Sequence, residues 1–254
     1  MNSLISLNTI LRKEITRFMR IWIQTLLPSV VTMTLYFIIF GHFIGSRISG
    51  INGFSYMNFI VPGIIMMAVI TNSYTNVASS FFSAKFQKSI EEILVSPTPA
   101  WVIIVGYTLG GVVRGLIVGF LVTLVALFFT TLIIHSLLII ALFFLLTTVV
   151  FSLMGLLNGI FAKKFDDVSI VPTFVLTPLT YLGGVFYSVS LLPSIWQKFS
   201  LLNPILYMVN GFRYGFLGYS DIPTYIGLLI LIVLMIGLFL VNLVLIRKGI
   251  GLRN

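Results

Sequence analysis

Residues 188–223 read SVSLLPSIWQKFSLLNPILYMVNGFRYGFLGYSDIP, an apolar stretch broken by Pro193, by Asn203-Pro204 and by Gly211, Gly215 and Gly218. Whether it crosses a bilayer decides the fold. Its longest piece free of proline and charge clusters, 205–218, has 14 residues. As a helix this piece rises about 21 Å, against a hydrocarbon core of about 30 Å. It is too short to cross. The stretch is expected to form a re-entrant pair of short helices over 190–218, entering from one side and returning. Lipid tolerates such a pair only where protein or a water-filled cavity covers the broken backbone.

On both sides of this stretch the apolar runs are longer and continuous. They predict six transmembrane helices near 21–44, 57–80, 101–132, 137–161, 168–187 and 224–246, with the re-entrant pair before the last. Composition agrees: the 254 residues are 59% hydrophobic and 8% charged, with a mean hydropathy of +1.14. A soluble domain carries about 25% charged residues. The chain is therefore expected to be an all-α membrane protein, with 21–254 forming one transmembrane domain and 1–20 a separate N-terminal element.

Charge placement sets the topology. With six spans, eleven cations fall on one side: Arg12, Lys13, Arg17, Arg20, Lys85, Lys88, Lys163, Lys164, Arg247, Lys248 and Arg253. Three, Arg47, Lys198 and Arg213, fall on the other, and Arg114 lies inside a span. The positive-inside rule then makes both termini cytoplasmic, whereas a seventh span at 205–218 would place the C-terminal cations outside. A net charge of +9 here reads as a topology signal and not as a nucleic-acid surface, because the cations sit between apolar runs.

Residues 1–20 do not read as a signal peptide, since the apolar run that follows is too long for one. Leu4, Leu7, Leu11, Ile15, Phe18 and Trp22 recur at spacings of three and four, with Arg12, Lys13, Arg17 and Arg20 mostly off that stripe. This predicts an amphipathic helix lying in the membrane interface, in contact with lipid headgroups.

The residue types exclude most chemistry. The acids are Glu14, Glu91, Glu92, Asp166, Asp167 and Asp221, the histidines are His42 and His135, and there is no cysteine. No G-x-x-x-x-G-K phosphate loop or H-E-x-x-H zinc motif occurs, so neither cofactor nor metal is expected. His42 and His135 fall near outer span ends. Asp166 and Asp167 are adjacent and point about 100° apart on a helix, which suits helix capping better than a shared-proton dyad. A passive channel or ion-coupled carrier is the alternative, but acids serving as intramembrane proton relays are missing from the middle of every span. An intramembrane enzyme lacks a histidine placed to activate a nucleophile.

Four features remain that carry function. Residues 83–99, SAKFQKSIEEILVSPTP, form a connector longer than a turn needs; Lys85, Lys88, Glu91, Glu92 and Leu94 suit a helix that docks a soluble partner, and a solvated connector is the other reading. Gly106 and Gly110, and Gly111, Gly115 and Gly119, form glycine rows at the spacing that admits a close helix neighbour. Arg114 lies beside them, at a cost of about 2.5–3.5 kcal/mol in a span, so it needs a carboxylate, carbonyls or water, and Asp166 or Asp167 would serve if the connector between the fourth and fifth spans folds back. Asn72 and Asn76 in the second span, and Thr173 and Thr177 in the fifth, belong to polar stripes. These face either neighbouring helices or a watery path.

The run FAKKFDDVSIVPTFVLTPLTYLGGVFYSVSLLPSIWQ, 161–197, and NPILYMVNGFRYGFLG, 203–218, resemble the membrane permease subunit of the ABC-2 family of ATP-binding-cassette transporters. Similarity extends to the small bacterial inner-membrane transport permeases of that family, and includes EEILVSPTP at 91–99 and GGVVRG at 110–115. The resemblance implies an exporter in the bacterial inner membrane, built from two permease copies and two copies of a separate ABC ATPase subunit that hydrolyses ATP. It makes 83–99 the coupling helix, with Glu91 and Glu92 at the ATPase contact. It places the cavity between the second and fifth spans of two protomers, where Asn72, Asn76, Thr173 and Thr177 stand.

Overall fold

The computed structural model describes residues 3–48, 50–51 and 53–252, so Arg253 of the inner-face count lies outside the described residues. The architecture is helical. The chain opens with α1 (Ser3–Arg20), then α2 (Trp22–Arg47), α3 (Tyr56–Phe86), the short α4 (Ser89–Val95), α5 (Ala100–Ala126) and α6 (Leu137–Phe161). After these come α7 (165–181), α8 (Ser194–Leu201), α9 (Pro204–Leu217) and α10 (Thr224–Lys248). Among the described residues, five helices are long and apolar enough to cross a membrane: α2, α3, α5, α6 and α10.

The central helix is α3. In its apolar stretch 83% of residues are buried, against 22% in α2 and in α10, so the bundle is built around α3 and those two face outward. Helices α5, α6 and α9 pack along it, and α2 and α7 pack on it as well. Gly155 and Gly159 of α6 bring that helix close, since a Cβ at Gly159 would stand 3.1 Å from the Ala78 carbonyl of α3.

Where the expected spans differ from the helices, the backbone explains it. The third was expected over 101–132 but ends at Ala126, because an apolar run does not mark where helical hydrogen bonding stops. The fifth was expected over 168–187. It is instead three consecutive segments, Phe165–Val171, a π-helical turn Pro172–Leu176, and Thr177–Tyr181, of 7, 5 and 5 residues. Pro178 has no N–H to offer the helix, and Gly184 at φ +70° turns the chain away, which left-handed backbone glycine adopts without strain. The first expected span, 21–44, corresponds to Trp22–Arg47, of which Phe37–Ile44 is π-helical.

Over 190–218 the chain forms two short helices, α8 and α9, joined by a turn at Leu202-Asn203. Asn203 caps α9 by accepting from Ile205 N at 3.0 Å, and its amide donates to Leu179 O at 2.6 Å.

Candidate functional site

The charged centre lies where α1, α3 and α5 meet. Gly106 and Gly110 receive α1: a Cβ at either would lie 2.6 Å from Ile10 Cγ2 or Glu14 Cβ respectively. The two contacts advance one turn on each helix, so α1 runs alongside α5 in the same direction. The face of α1 turned to the protein is Ser6, Ile10, Glu14 and Phe18. Of the predicted stripe, Leu7, Leu11 and Ile15 border that face, and Leu4 and Trp22 are exposed. A carboxylate at the centre of a docking face breaks the apolar pattern, which is why periodicity placed the stripe one position aside. The second glycine row serves other helices, with Gly111 and Gly115 against Ser73 of α3 and Gly119 against Val69 of α3 and Phe144 of α6.

Glu14 is fully buried. Ser80 Oγ donates to its Oε1 at 2.7 Å and Arg17 Nη2 lies 3.3 Å from Oε2. Arg17 also donates to Asn76 Oδ1 at 2.8 Å and to Asn76 O at 3.1 Å. On the far side of the same amide stands Arg114, whose Nη1 is 3.5 Å from Asn76 Oδ1. Its Nη2 donates to Thr25 O at 2.8 Å and to Asn72 Oδ1 at 3.1 Å. Asn72 in turn exchanges with Ser29 Oγ, its Nδ2 donating at 2.9 Å.

Of the partners open to it, Arg114 thus takes a carbonyl, together with two asparagine amides, and neither Asp166 nor Asp167. Asp167 Oδ2 accepts from the Lys163 and Lys164 amides at 2.8 and 3.0 Å, capping α7. A helix start offers free N–H groups that attract a carboxylate, so the acids stay local and never fold back to the bilayer interior.

The polar stripe of α3 has two sides. Asn72, Asn76 and Ser80 face inward to this network. Between Phe59 and Phe82 the residues of α3 that are not buried are Thr71, Thr75 and Ser79, at strict spacings of four. Their hydroxyls donate to the carbonyls four residues back, at 3.0, 2.7 and 2.7 Å, leaving the oxygen lone pairs outward. On α7, Thr173 and Thr177 are exposed and Thr180 is buried. Thr177 Oγ1 reaches back five residues to Pro172 O at 2.9 Å, and the extra residue of the π turn rotates Thr180 inward. The structure therefore separates Asn72 and Asn76, inside one protomer, from Thr173 and Thr177 on its surface.

Past the C-terminal end of α3, Lys88 takes a left-handed turn at φ 59° and α4 begins. Ile90 is buried, Leu94 is half-buried, and Glu91, Glu92 and Lys88 are exposed. Lys85 is placed differently from the other four residues of the docking set: its Nζ donates at 2.7 Å to Ile160 O and at 2.7 Å to Ala162 O. It closes the C-terminus of α6, where unpaired carbonyls and the helix dipole favour a cation.

Sequence reasoning missed Arg213, counted only as an outer-face cation. It is fully buried, and its guanidinium donates to Phe59 O at 3.1 Å, Gly184 O at 2.7 Å and Val185 O at 3.3 Å. No residue type marked its acceptors in advance, because they are backbone carbonyls. Asp221 holds the next loop, accepting from Ser188 Oγ at 2.5 Å and Tyr219 OH at 2.9 Å. Burial, and then the bond to Asp221, push the Tyr219 hydroxyl above its ordinary pKa, so it remains a donor. His42 and His135 are exposed, with the His135 ring 5.4 Å from that of Tyr214.

Residues 6–217 match the family model described as ABC-2 type transporter. The inner membrane transport permease YadH of Escherichia coli (strain K12) is 63% identical over 250 residues, covering 98% of each chain. The same figures hold for the protein of that name in Shigella flexneri. Nodulation protein J of Rhizobium leguminosarum bv. viciae is 21% identical over 229 residues, 89% of this chain and 88% of that one. The helical bundle, the intramembrane arginine and these matches agree: the chain belongs to the ABC-2 type transporter family, as a non-catalytic membrane permease subunit.

Proposed function

We propose that two copies of this chain form the translocation path of an inner-membrane exporter driven by two copies of a separate ABC ATPase. In this reading α2, α3, α5, α6, α7 and α10 are the six spans, α8 and α9 are the re-entrant pair, and both termini are cytoplasmic. Helix α1 rests in the inner interface beside the 21–254 domain. The observation that carries the path is the hydroxyl line of Thr71, Thr75 and Ser79 on the open side of an otherwise buried α3. A lipid-facing line would be apolar. Thr173 and Thr177 of α7 extend the polar surface, while Asn72 and Asn76 support it from behind by fixing Arg114.

The cycle is mechanical. ATP binding closes the ATPase pair, α4 transmits the movement through Lys88, Glu91, Glu92 and Leu94, and the two protomers switch access from inside to outside. Lys85 links α4 to the bundle by tying the end of α3 to α6. The free energy comes from the ATPase, because this chain carries no phosphate-binding loop.

The chain has no cysteine, which makes single-thiol reporters clean. In the assembled complex in vesicles, Thr75→Cys is expected to react with a charged, water-soluble thiol reagent, and Leu229→Cys on the exposed face of α10 is not. Equal inertness of both positions in every nucleotide state would place the α3 line against lipid or protein and overturn the path.

A further inference from the structure

A groove of about 570 Å³ opens on the cytoplasmic side between α4 and the end of α10. One wall is Glu91, Leu94 and Val95; the other is Arg247, Lys248 and Leu252. The second wall is a fixed structure. Gly249 at φ 65° ends α10, with its N–H donating to Ile246 O at 3.2 Å and the Ile250 N–H to Leu245 O at 3.0 Å. This pattern reverses the chain and satisfies the last carbonyls. Gly251 at φ 72° turns it again, against the Ile160 carbonyl. The hook seats Leu252, 4% exposed, in the same apolar cluster as Ile90 of α4.

The charges on the two walls are exposed and not spent on each other. Glu91, Arg247 and Lys248 are all exposed, and among the described residues the one ion pair is Glu14–Arg17. Val95, at the lip, is 88% exposed. An apolar floor flanked by an acid on one side and two bases on the other is complementary to a segment of opposite order.

We infer that this groove receives a segment of the ATPase subunit. The segment presents one apolar side chain to Leu94, Val95 and Leu252, a cation toward Glu91 and a carboxylate toward Arg247 or Lys248. The inference rests on the reading of α4 as the docking helix and adds a second wall, contributed by the C-terminal hook. Movement of the ATPase is then delivered to α10 as well as to α3.

The test uses the permease co-expressed with its ATPase and purified in detergent through a tag on the permease. Three variants are compared: Glu91→Lys with Glu92→Lys, Arg247→Glu with Lys248→Glu, and the milder Arg247→Gln with Lys248→Gln. Reversal on either wall is expected to lower retained ATPase at least tenfold, with the glutamine pair intermediate. If the glutamate-wall variant releases the ATPase while both C-terminal variants retain it with unchanged ATP turnover, the second wall falls and α4 docking stands. If no variant releases it, both fall. Should the C-terminal reversal impair insertion, the glutamine pair decides by the same criterion. A loss seen only when acidic lipid is added to the detergent assigns the two cations to headgroups and overturns the inference.

Discussion

Glu14→Gln isolates the work of the one buried carboxylate in the α1 docking face. Two guanidiniums, Arg17 and Arg114, converge on Asn76, and Glu14 pairs with the first of them. Glutamine keeps the volume and still accepts from Ser80, so the change is the loss of charge beside Arg17. Removing one member of a fully buried pair costs about 3–5 kcal/mol. Here the Arg17 side chain is 30% exposed and retains both Asn76 acceptors, so the loss approaches that of one charge-assisted hydrogen bond, about 1.5–3 kcal/mol. That raises the undocked population of α1 roughly 10- to 100-fold. Ser6→Cys, on the same buried face, supplies a single thiol whose modification rate in detergent reports undocking. The rate is expected to rise at least tenfold with Glu14→Gln, while a reporter at Ala68→Cys, inside α3, is unchanged. Rates within twofold at position 6 would refute the view that this carboxylate holds the helix.

Gly110→Val drives a side chain into Glu14 Cβ, 2.6 Å from the new Cβ, and is expected to raise the same thiol rate, whereas Gly237→Val on α10 meets nothing within 4 Å and is silent. Lys85→Gln removes the charge that closes α6 and is expected to destabilise the protein in detergent by about 1.5–3 kcal/mol, with ATPase retention unchanged; loss of retention at unchanged stability would return Lys85 to the docking surface. Arg213→Lys cannot span three carbonyls on two chain segments. Its expected effect is a lower thermal midpoint, at roughly 1.5–3 kcal/mol per bond lost, and proteolytic sensitivity near Gly184.

Much of the fold was legible because the bilayer imposes a length test. The fourth span, expected at 137–161, is Leu137–Phe161, and the stretch 190–218 was readable as two short helices. Ends set by backbone chemistry were not legible, as at Ala126 and at the π turn of α7. The site was half legible. Polarity singled out Asn72, Asn76, Thr173 and Thr177, but helical phase on a helix buried nearly all round does not say which polar side is inside. Arg114 was visible as a charge needing a carboxylate, carbonyls or water; that it takes Thr25 O and two asparagine amides was not, because those groups carry no charge signature.

By itself the sequence determined the solvent, the places of five long apolar helices, and the absence of a phosphate-binding loop; the sixth expected span is the broken α7. These follow from composition, run length and charge, which act one segment at a time. Tertiary structure decided that Glu14 faces Arg17, that Thr71, Thr75 and Ser79 form the open line of α3, and that Lys85 turns inward. It also decided that the C-terminal hook stands opposite α4. Each of these depends on which helix fills the space beside a given face, and that is fixed by packing between segments distant in the chain.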